Sequence, residues 1–396
     1  MSIDTAVVLA AGEGNRLHPL TRNRPKPMLP AANRPILEYV LDALIDAGIS
    51  RLCLVVGYKR DRVQDHFGPS YRNVDIEYVA QEKQLGSGHA LQQAASAVEG
   101  SFVVVNGDRV IEPRMVEAVI DAHTEDGSAA LAVLEHGDAR RYGAVEIEGD
   151  TITALVEKPE REDYRLINAG VYAFDRSVFD ALATTARENG TLPLTSAVED
   201  LVEERRVRGV RTDGLWVDAT YPWDLLTVAR EVLRHGLVEE PTTGSGVWVA
   251  NSATVDRTAR LQTPVVIGPD CEVGAGAVVG PNVALGRNTT VGANATLEDC
   301  VLDTDTRVGP GSVLLDCVTG QDVHLGPGTV VPGGPADVQV GDAVHRGERL
   351  GAVLADRVRT GGAVTCEPGT LVGTSARLGT GVVVDGTVRA DSEVVR

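Results

Sequence analysis

The chain has 396 residues, 43% of them hydrophobic, with 56 acidic against 37 basic side chains and a formal net charge of −19. That length gives room for two domains with cores of their own, and the acidic balance argues against nucleic acid as a partner, because phosphate would be repelled. The five cysteines are odd in number, scattered, and form no C-x-x-C pair, so neither a zinc site nor a disulfide framework is indicated and buried small apolar residues are expected.

No apolar run approaches the length of a membrane span, and the opening "MSIDTAVVLAAG" has no basic region followed by a signal core, so no membrane association and a cytoplasmic location are expected. Only four of the basic residues are lysines: Lys26, Lys59, Lys83 and Lys158. An acid-rich, lysine-poor chain suits the high-salt cytoplasm of a halophile, where screening tolerates a large surface charge.

Residues 1–236 alternate short β-branched runs with helix-spaced segments. "TAVVLAAG", "RLCLVVGY", "VDIEYVAQ" and "SFVVVNGD" read as strands; "PILEYVLDALIDAG", "DRVQDHF", "GHALQQAASAVEG" and "PRMVEAVIDAHTEDG" read as helices. Such alternation predicts an α/β fold of Rossmann-like type, a mostly parallel sheet covered on both faces, with ligands at the carboxyl ends of its strands.

Residues 237–246, "LVEEPTTGSG", carry no apolar period and read as a linker. In 247–396 the pattern changes. Val249, Val255, Leu261, Ile267, Val273, Val279, Leu285, Val291 and Leu297 recur at a spacing of six, with a small or β-branched residue four places after each. Six fits neither helix nor alternating strand; it fits a triangular coil of short parallel strands, one hexapeptide to a side. The register slips to Leu302, Val308 and Leu314, slips again to Leu325 and Val331, and returns at Val372, Leu378 and Val384, with 332–362 reading as an excursion loop. The pattern resembles the left-handed β-helix of hexapeptide acyltransferases.

The stretch "LAAGEGNRLHPLTRNRPKPMLP" (9–30) runs from a strand into a glycine-containing loop, an arrangement that lets backbone N–H groups approach phosphate. It lacks the third glycine of G-x-G-x-x-G, and no P-loop motif occurs. From Arg16 to Arg34 there are five Arg or Lys residues and no acid, a local inversion of charge that by itself is equally well a solvated basic loop. The stretch resembles the L-A-A-G-x-G-x-R-L…P-K-P signature of sugar-1-phosphate nucleotidylyltransferases. The likeness continues in order through "QLGSGHALQQA", "VVVNGD", "YGAVEIEGDTITALVEKPE", "INAGVYAFD" and "WVDATYPWDL". With a hexapeptide coil following, the plan resembles archaeal relatives of the bifunctional N-acetylglucosamine-1-phosphate uridylyltransferase/acetyltransferases.

The resemblance implies a reaction between a nucleoside triphosphate and a sugar 1-phosphate, with UTP and dTTP both open as nucleotide and glucose and N-acetylglucosamine both open as sugar. It makes Arg16 and Lys26 the catalytic cations. Leu9, Ala10, Ala11, Gly12, Gly14, Gln81, Gly86 and Ser87 would bind the nucleotide, Ser87 standing where the family usually has Thr. Gly143, Glu157, Lys158, Asn168 and Ala169 would bind the sugar phosphate, and Asp108 and Asp218 would hold Mg²⁺. A lysine at 26, between two prolines in an arginine-dominated chain, supplies a compact charge able to follow a moving phosphoryl group. The resemblance further implies a homo-oligomer, a trimer being favoured. A second, acetyl-transferring activity is not expected, because "DTDTRVGPGSVLLDC" contains neither His nor Tyr and no lysine follows Lys158. A non-catalytic regulatory subunit is the third reading, against which stands the retention of Arg16, Lys26, Asp108, Glu157, Lys158 and Asp218.

Overall fold

A computed structural model describes residues 3–161 and 163–396. Contacts divide them into two units: one of residues up to Glu13, Pro25–Met28 and Ile36–Trp216, the other of Gly14–Arg24, Leu29–Pro35 and Val217–Arg396.

The first unit is built on a ten-stranded sheet. From one edge its strands run Ser70–Tyr71, Val74–Ala80, Arg51–Val56, Thr5–Ala10, Phe102–Asn106, Leu166–Phe174, Ala129–Glu135, Val207–Arg211, Thr151–Glu157 and Gly143–Glu148. The expected parallel pairing holds from Val74–Ala80 through Phe102–Asn106. Beyond that the sheet is mixed rather than mostly parallel: Leu166–Phe174 runs antiparallel to both neighbours, and Gly143–Glu148 pairs antiparallel with Thr151–Glu157. The physical reason is connection length, since the short turn at Gly149–Asp150 can join only antiparallel strands, whereas parallel ones need a crossover. Helices Ile36–Asp46 and Pro113–Asp126 turn Leu37, Val40, Leu41, Leu44, Met115, Val116 and Val119 onto the sheet, forming one core with Val8, Leu54 and Val105. A second core packs Leu91, Phe102, Phe174, Leu182 and Leu201 with Val7 and Val55. The opposite-pointing pairs Val7/Val8 and Leu54/Val55 thus feed both cores, as strands buried on both faces do.

The second unit contains the helix Asp224–His235 and the repeat region. Short strands pair in parallel with the strand eighteen residues on: Val247–Val249 with Val265–Ile267, that strand in turn with Val283–Leu285, Thr254–Val255 with Glu272–Val273, and Arg260–Leu261 with Val278–Val279. Three such ladders per eighteen residues make a three-sided parallel coil, with the six-spaced aliphatics inside it as one continuous core. The slips in register have a structural cause. Leu285 pairs with Leu302, Val291 with Val308 and Leu297 with Leu314, so those turns hold seventeen residues rather than eighteen. Many corners use Asp or Asn at positive φ, among them Asp270, Asn288, Asp305 and Asp322, the residue types that tolerate this conformation best. The excursion is shorter than its sequence reading: only Pro335–Val340 and Ala343–Arg349 leave as an antiparallel hairpin, and Ala352–Leu354 is back in the coil against Cys317–Thr319. Part of the linker, Thr242–Gly244, forms an edge strand on Val247–Val249. All five cysteines are buried and free. No helix among the described residues is long and apolar enough to cross a membrane.

Candidate active site

In the first unit the carboxyl ends of two parallel neighbours, Thr5–Ala10 and Phe102–Asn106, lie side by side with Leu9 opposite Asn106. Beyond Asn106 the chain turns through Gly107, whose N–H donates to the Leu9 carbonyl at 2.9 Å, and presents Asp108. Lys26, in the short turn Lys26–Met28, reaches the same point. Its Nζ donates to Asp108 Oδ2 at 2.6 Å, with side chains 15% and 30% exposed. Two residues 82 positions apart, each singled out for phosphate or metal chemistry, are therefore in direct contact.

The other oxygen of Asp108 is the more informative. Oδ1 is buried and has no hydrogen-bond partner among the described residues, with Arg109 Nε 3.9 Å away. A buried carboxylate oxygen that accepts no hydrogen bond keeps its lone pairs open, so this donor fits a divalent cation. Burial opposes the charge on Asp108, yet the attraction of Lys26 and Arg109 outweighs it and holds the carboxyl below the ordinary carboxylate range. No group of three or more His, Cys, Asp or Glu placed to hold a metal occurs among the described residues.

Arg109 has no part in the motif-based assignment. Its guanidinium lies 5.2 Å over the Trp216 ring and donates to the Asn168 carbonyl at 3.3 Å. Its signal in the sequence is its place directly after Asp108. Trp216 in turn packs edge-on to Tyr142 and His136 and donates from its indole nitrogen to the Ala169 carbonyl at 2.8 Å. Asn168 is buried and its amide is committed, Nδ2 donating to Tyr172 Oη at 2.7 Å and Oδ1 accepting from Gly170 N–H at 2.7 Å. Asn168 and Ala169 thus brace the irregular strand at this point. Gly143 and Glu157 are direct partners across the sheet, and a Cβ built on Gly143 would lie 3.3 Å from Glu157 Oε2. Lys158 adopts a left-handed conformation, φ 46, and its Nζ lies 3.2 Å from Glu157 Oε1. Both side chains are about half exposed, and such a pair is worth little and opens readily.

The segment 81–89 is tightly specified. Gln81 is buried, and its Nε2 donates to the Gly86 carbonyl at 3.0 Å and to His89 Nδ1 at 2.9 Å. Both amide hydrogens are thereby used, and Oε1 is the acceptor of the same amide. The His89 acceptor role needs an unprotonated Nδ1, and burial followed by the nearby Arg187 lowers the affinity of that ring for a proton. The motif reading gave His89 no function; its signal is its place inside the helix Ser87–Gln93, where it faces Gln81. Gly86, at φ 99, approaches Leu192 so closely that a Cβ would stand 2.5 Å from its carbonyl oxygen. Ser87 Oγ accepts from the Leu194 N–H at 2.9 Å. Ala10 and Ala11 are buried at the end of their strand, Gly12 is exposed, and a Cβ built there would meet nothing within 4 Å.

The remaining assigned residues belong to the second unit. Gly14 takes a left-handed conformation (φ 71, ψ 40) that starts the turn Asn15–Leu17, on which Arg16 is exposed. Asp218 is half-buried and its Oδ2 accepts from Thr220 Oγ1 at 2.7 Å. Just after it, Tyr221 and Trp223 stack in parallel with centroids 4.8 Å apart, and His345 of the hairpin covers them at 4.3 and 5.2 Å. The acid-free basic stretch is only in part a solvated loop: Arg24 is buried between Asp303 and Asp356, and Arg22 and Arg34 pair with Asp391 and Glu239.

Known proteins resemble this chain over both of its units. The nucleotidyl transferase family model matches residues 5–235, and a second model, the GMPPB C-terminal domain, matches residues 261–388. A bifunctional protein GlmU of Methanococcus vannielii is 31% identical over 425 aligned positions, covering 99% of this chain and 97% of that protein. For a bifunctional protein GlmU of Methanococcus maripaludis the figures are 34% identity, 67% of this chain and 62% of the relative's length. The UTP–glucose-1-phosphate uridylyltransferase AglF of Haloferax volcanii is 35% identical, over 60% of this chain and 98% of its own. Among solved structures, a UDP-glucose pyrophosphorylase complexed with UDP-glucose superposes on 59% of this chain and 99% of its own, with a TM-score of 0.55 at 23% identity, a likeness of fold.

Proposed function

The chain belongs to the nucleotidyl transferase family, on its sugar-1-phosphate side, and from that premise we propose that it condenses UTP or dTTP with glucose 1-phosphate or N-acetylglucosamine 1-phosphate, releasing pyrophosphate. The observation that carries this reading is the Lys26–Asp108 pair at the carboxyl ends of adjacent parallel strands. A phosphate oxygen of the sugar 1-phosphate attacks the α-phosphorus in line. The new P–O bond forms as the bond to the β-phosphate bridge breaks, and the electron pair leaves with pyrophosphate. Little is asked of the protein beyond positioning and charge neutralisation.

Lys26 serves the α-phosphate and the leaving oxygens, where charge grows, and Arg16 shares that charge. Gly12 and Gly14 let the backbone approach the triphosphate, and Leu9, Ala10 and Ala11 lie under the nucleoside. Gln81 supports a uracil or thymine base: with both amide hydrogens committed, its Oε1 can accept from an imide N–H, which cytosine lacks at that position. Gly86 and Ser87 shape the same pocket. Glu157 and Gly143 receive the sugar, and Lys158 leaves its weak pair with Glu157 for the sugar's phosphate. Asn168 and Ala169 hold that wall in place. A divalent cation, Mg²⁺ in this reading, neutralises phosphate charge when bound. Asp108 suits it through Oδ1, which accepts no hydrogen bond, with Asp218 as second carboxylate; Mg²⁺ typically takes one or two carboxylates beside substrate phosphates and water.

The functional division follows the sequence reading, with catalytic residues in 1–236, a linker 237–246 and a coil 247–396 of left-handed sense. The coil is proposed to assemble homotrimers, testable by light scattering in molar salt. The reaction draws on cytoplasmic nucleotides, and a cytoplasmic location goes with it. Acetyl transfer is not part of the proposal, on the absence of His and Tyr from "DTDTRVGPGSVLLDC"; acetyl-CoA with glucosamine 1-phosphate should yield no enzyme-dependent free thiol. The test of the main reading is a matrix of nucleoside triphosphates against sugar 1-phosphates in high KCl with Mg²⁺. Pyrophosphate should appear with UTP or dTTP and a hexose 1-phosphate, and release with CTP equal to that with UTP would remove the assigned role of Gln81.

A further inference from the structure

The segment Gly14–Arg24 lies in the middle of the signature motif, yet its contacts make it part of the unit built on the coil. Arg24 is the anchor. It is 5% exposed and its guanidinium is held by two carboxylates, Nη1 by Asp303 Oδ2 and Nη2 by Asp356 Oδ1 at 3.3 Å; Asp303 and Asp356 are themselves 7% and 5% exposed. Each carboxylate is fixed in turn. Asp303 Oδ1 accepts from the Thr304 N–H at 2.7 Å, and Asp356 Oδ1 from the Gln321 N–H at 3.0 Å. The flanking residues add to the hold, Asn23 Nδ2 donating to Asp356 Oδ2 at 3.1 Å and Arg22 pairing with Asp391 at 3.1 Å.

A solvated basic loop has none of these properties. Burying one guanidinium and two carboxylates costs desolvation that apolar side chains of the same size would avoid, whereas a planar fork gripped from two sides fixes direction as well as position. The segment is closed on itself too: Thr21 Oγ1 donates to the Gly14 carbonyl at 2.9 Å, and Leu17 and Leu20 are fully buried, so Arg16 rides on a braced loop. Downstream, only Pro25 separates Arg24 from Lys26, and Pro27 follows, so little backbone slack remains between the anchor and the catalytic lysine.

We propose that Arg24, Asp303 and Asp356 are positioning residues for nucleotidyl transfer: the coil grips the signature segment at Arg24 and thereby sets Arg16 and the chain entering Lys26. The coil is then a working part of the transferase, not an appended module. This inference rests on the transferase reading above.

The test compares the full-length wild type with Asp356→Asn and the conservative Arg24→Lys, by steady-state kinetics and by hydrogen exchange of peptides. In Asp356→Asn, exchange within 14–24 should quicken about ten-fold while the strand 5–10 keeps its protection. At a temperature well below melting, kcat should fall by at least about ten-fold, with KM for the nucleotide moving less. Arg24→Lys, which keeps the charge and loses the fork, should show the same pattern more mildly, and it decides the matter if Asp356→Asn does not fold. A merely structural triad would lower the melting temperature and leave kcat of the folded enzyme intact. Unchanged exchange in 14–24, or quickened exchange with kcat within two-fold of wild type, overturns the proposal. A wild type inactive on every substrate pair would sink the transferase reading instead, and the exchange experiment would still decide whether the anchor exists.

Discussion

Replacing Asp108 with Asn removes one charge at constant shape and separates two effects. The first is on stability. Lys26 loses a charge-assisted hydrogen bond of 2.6 Å, a contact of about 1.5–3 kcal/mol in general. The pair is 15% and 30% exposed, and the Asn carbonyl can still accept from Nζ, so the expected loss is the smaller part of that range, roughly 1.5–2 kcal/mol. For a unit of this size that corresponds to a fall in melting temperature of about 3–8 °C. The second effect is on rate. With Oδ1 no longer anionic, the divalent cation of the proposed reaction would lose a ligand, and kcat should drop by about 10²-fold or more. Acid sensitivity should change as well. The Asp108 carboxyl is held below its ordinary range in the folded protein. Its contribution to stability is therefore fully present above the unfolded value of about 3.9 and is lost as pH falls through the lower folded value. The Asn variant should lack that component. Thermal melts from pH 3 to 7 and pyrophosphate release at saturating substrates read both effects. An Asn variant with kcat within two-fold of wild type would refute the assignment of Asp108, whatever its melting temperature.

Lys26→Arg should lower kcat even though the chain prefers arginine elsewhere, because a wide planar fork cannot reproduce the single short contact to Asp108; wild-type kcat in this variant would contradict the geometric case for lysine. Gly86→Ala should destabilise by about 2–4 kcal/mol in denaturant melts and raise KM for the nucleotide, since φ is 99 and the new Cβ would press on the Leu192 carbonyl. Stability equal to wild type would show that this loop is not as closely held as its contacts imply. The five buried thiols should be silent to a disulfide reagent at pH 8 and all react in guanidinium, because burial raises them, Cys271 to about 11 and Cys53 to about 12; any fast-reacting thiol in the native protein would count against that burial.

Legibility in the sequence depended on the range of the interaction. The strands Thr5–Ala10, Arg51–Val56 and Phe102–Asn106 announce themselves as short β-branched runs, and the six-residue period of the coil is a local repeat that needs no partner to be read. The seventeen-residue turns were visible as slips in that period, and the pairing of Leu285 with Leu302 supplies their cause. Antiparallel pairing of Leu166–Phe174 left no such mark, because direction is decided by connections and by neighbours far along the chain. In the site, motif order pointed to Lys26 and Asp108, but their contact joins residues 82 apart and is a property of the fold. The commitment of the Gln81 amide needed His89 and Gly86 in three dimensions. Arg24 shows the limit most clearly: its sequence neighbourhood reads as phosphate-binding charge, while its partners Asp303 and Asp356 lie some three hundred residues on.

The most direct measurement is a ³¹P NMR spectrum of the purified protein with UTP or dTTP, glucose 1-phosphate or N-acetylglucosamine 1-phosphate, and Mg²⁺ in molar KCl. Nucleotidyl transfer predicts that the triphosphate and sugar-phosphate resonances decline together while those of a sugar nucleotide and pyrophosphate grow in equal amounts, and that added pyrophosphate drives the reaction back. A spectrum that stays unchanged with every pair, or a triphosphate hydrolysed at the same rate with and without the sugar phosphate, would contradict it.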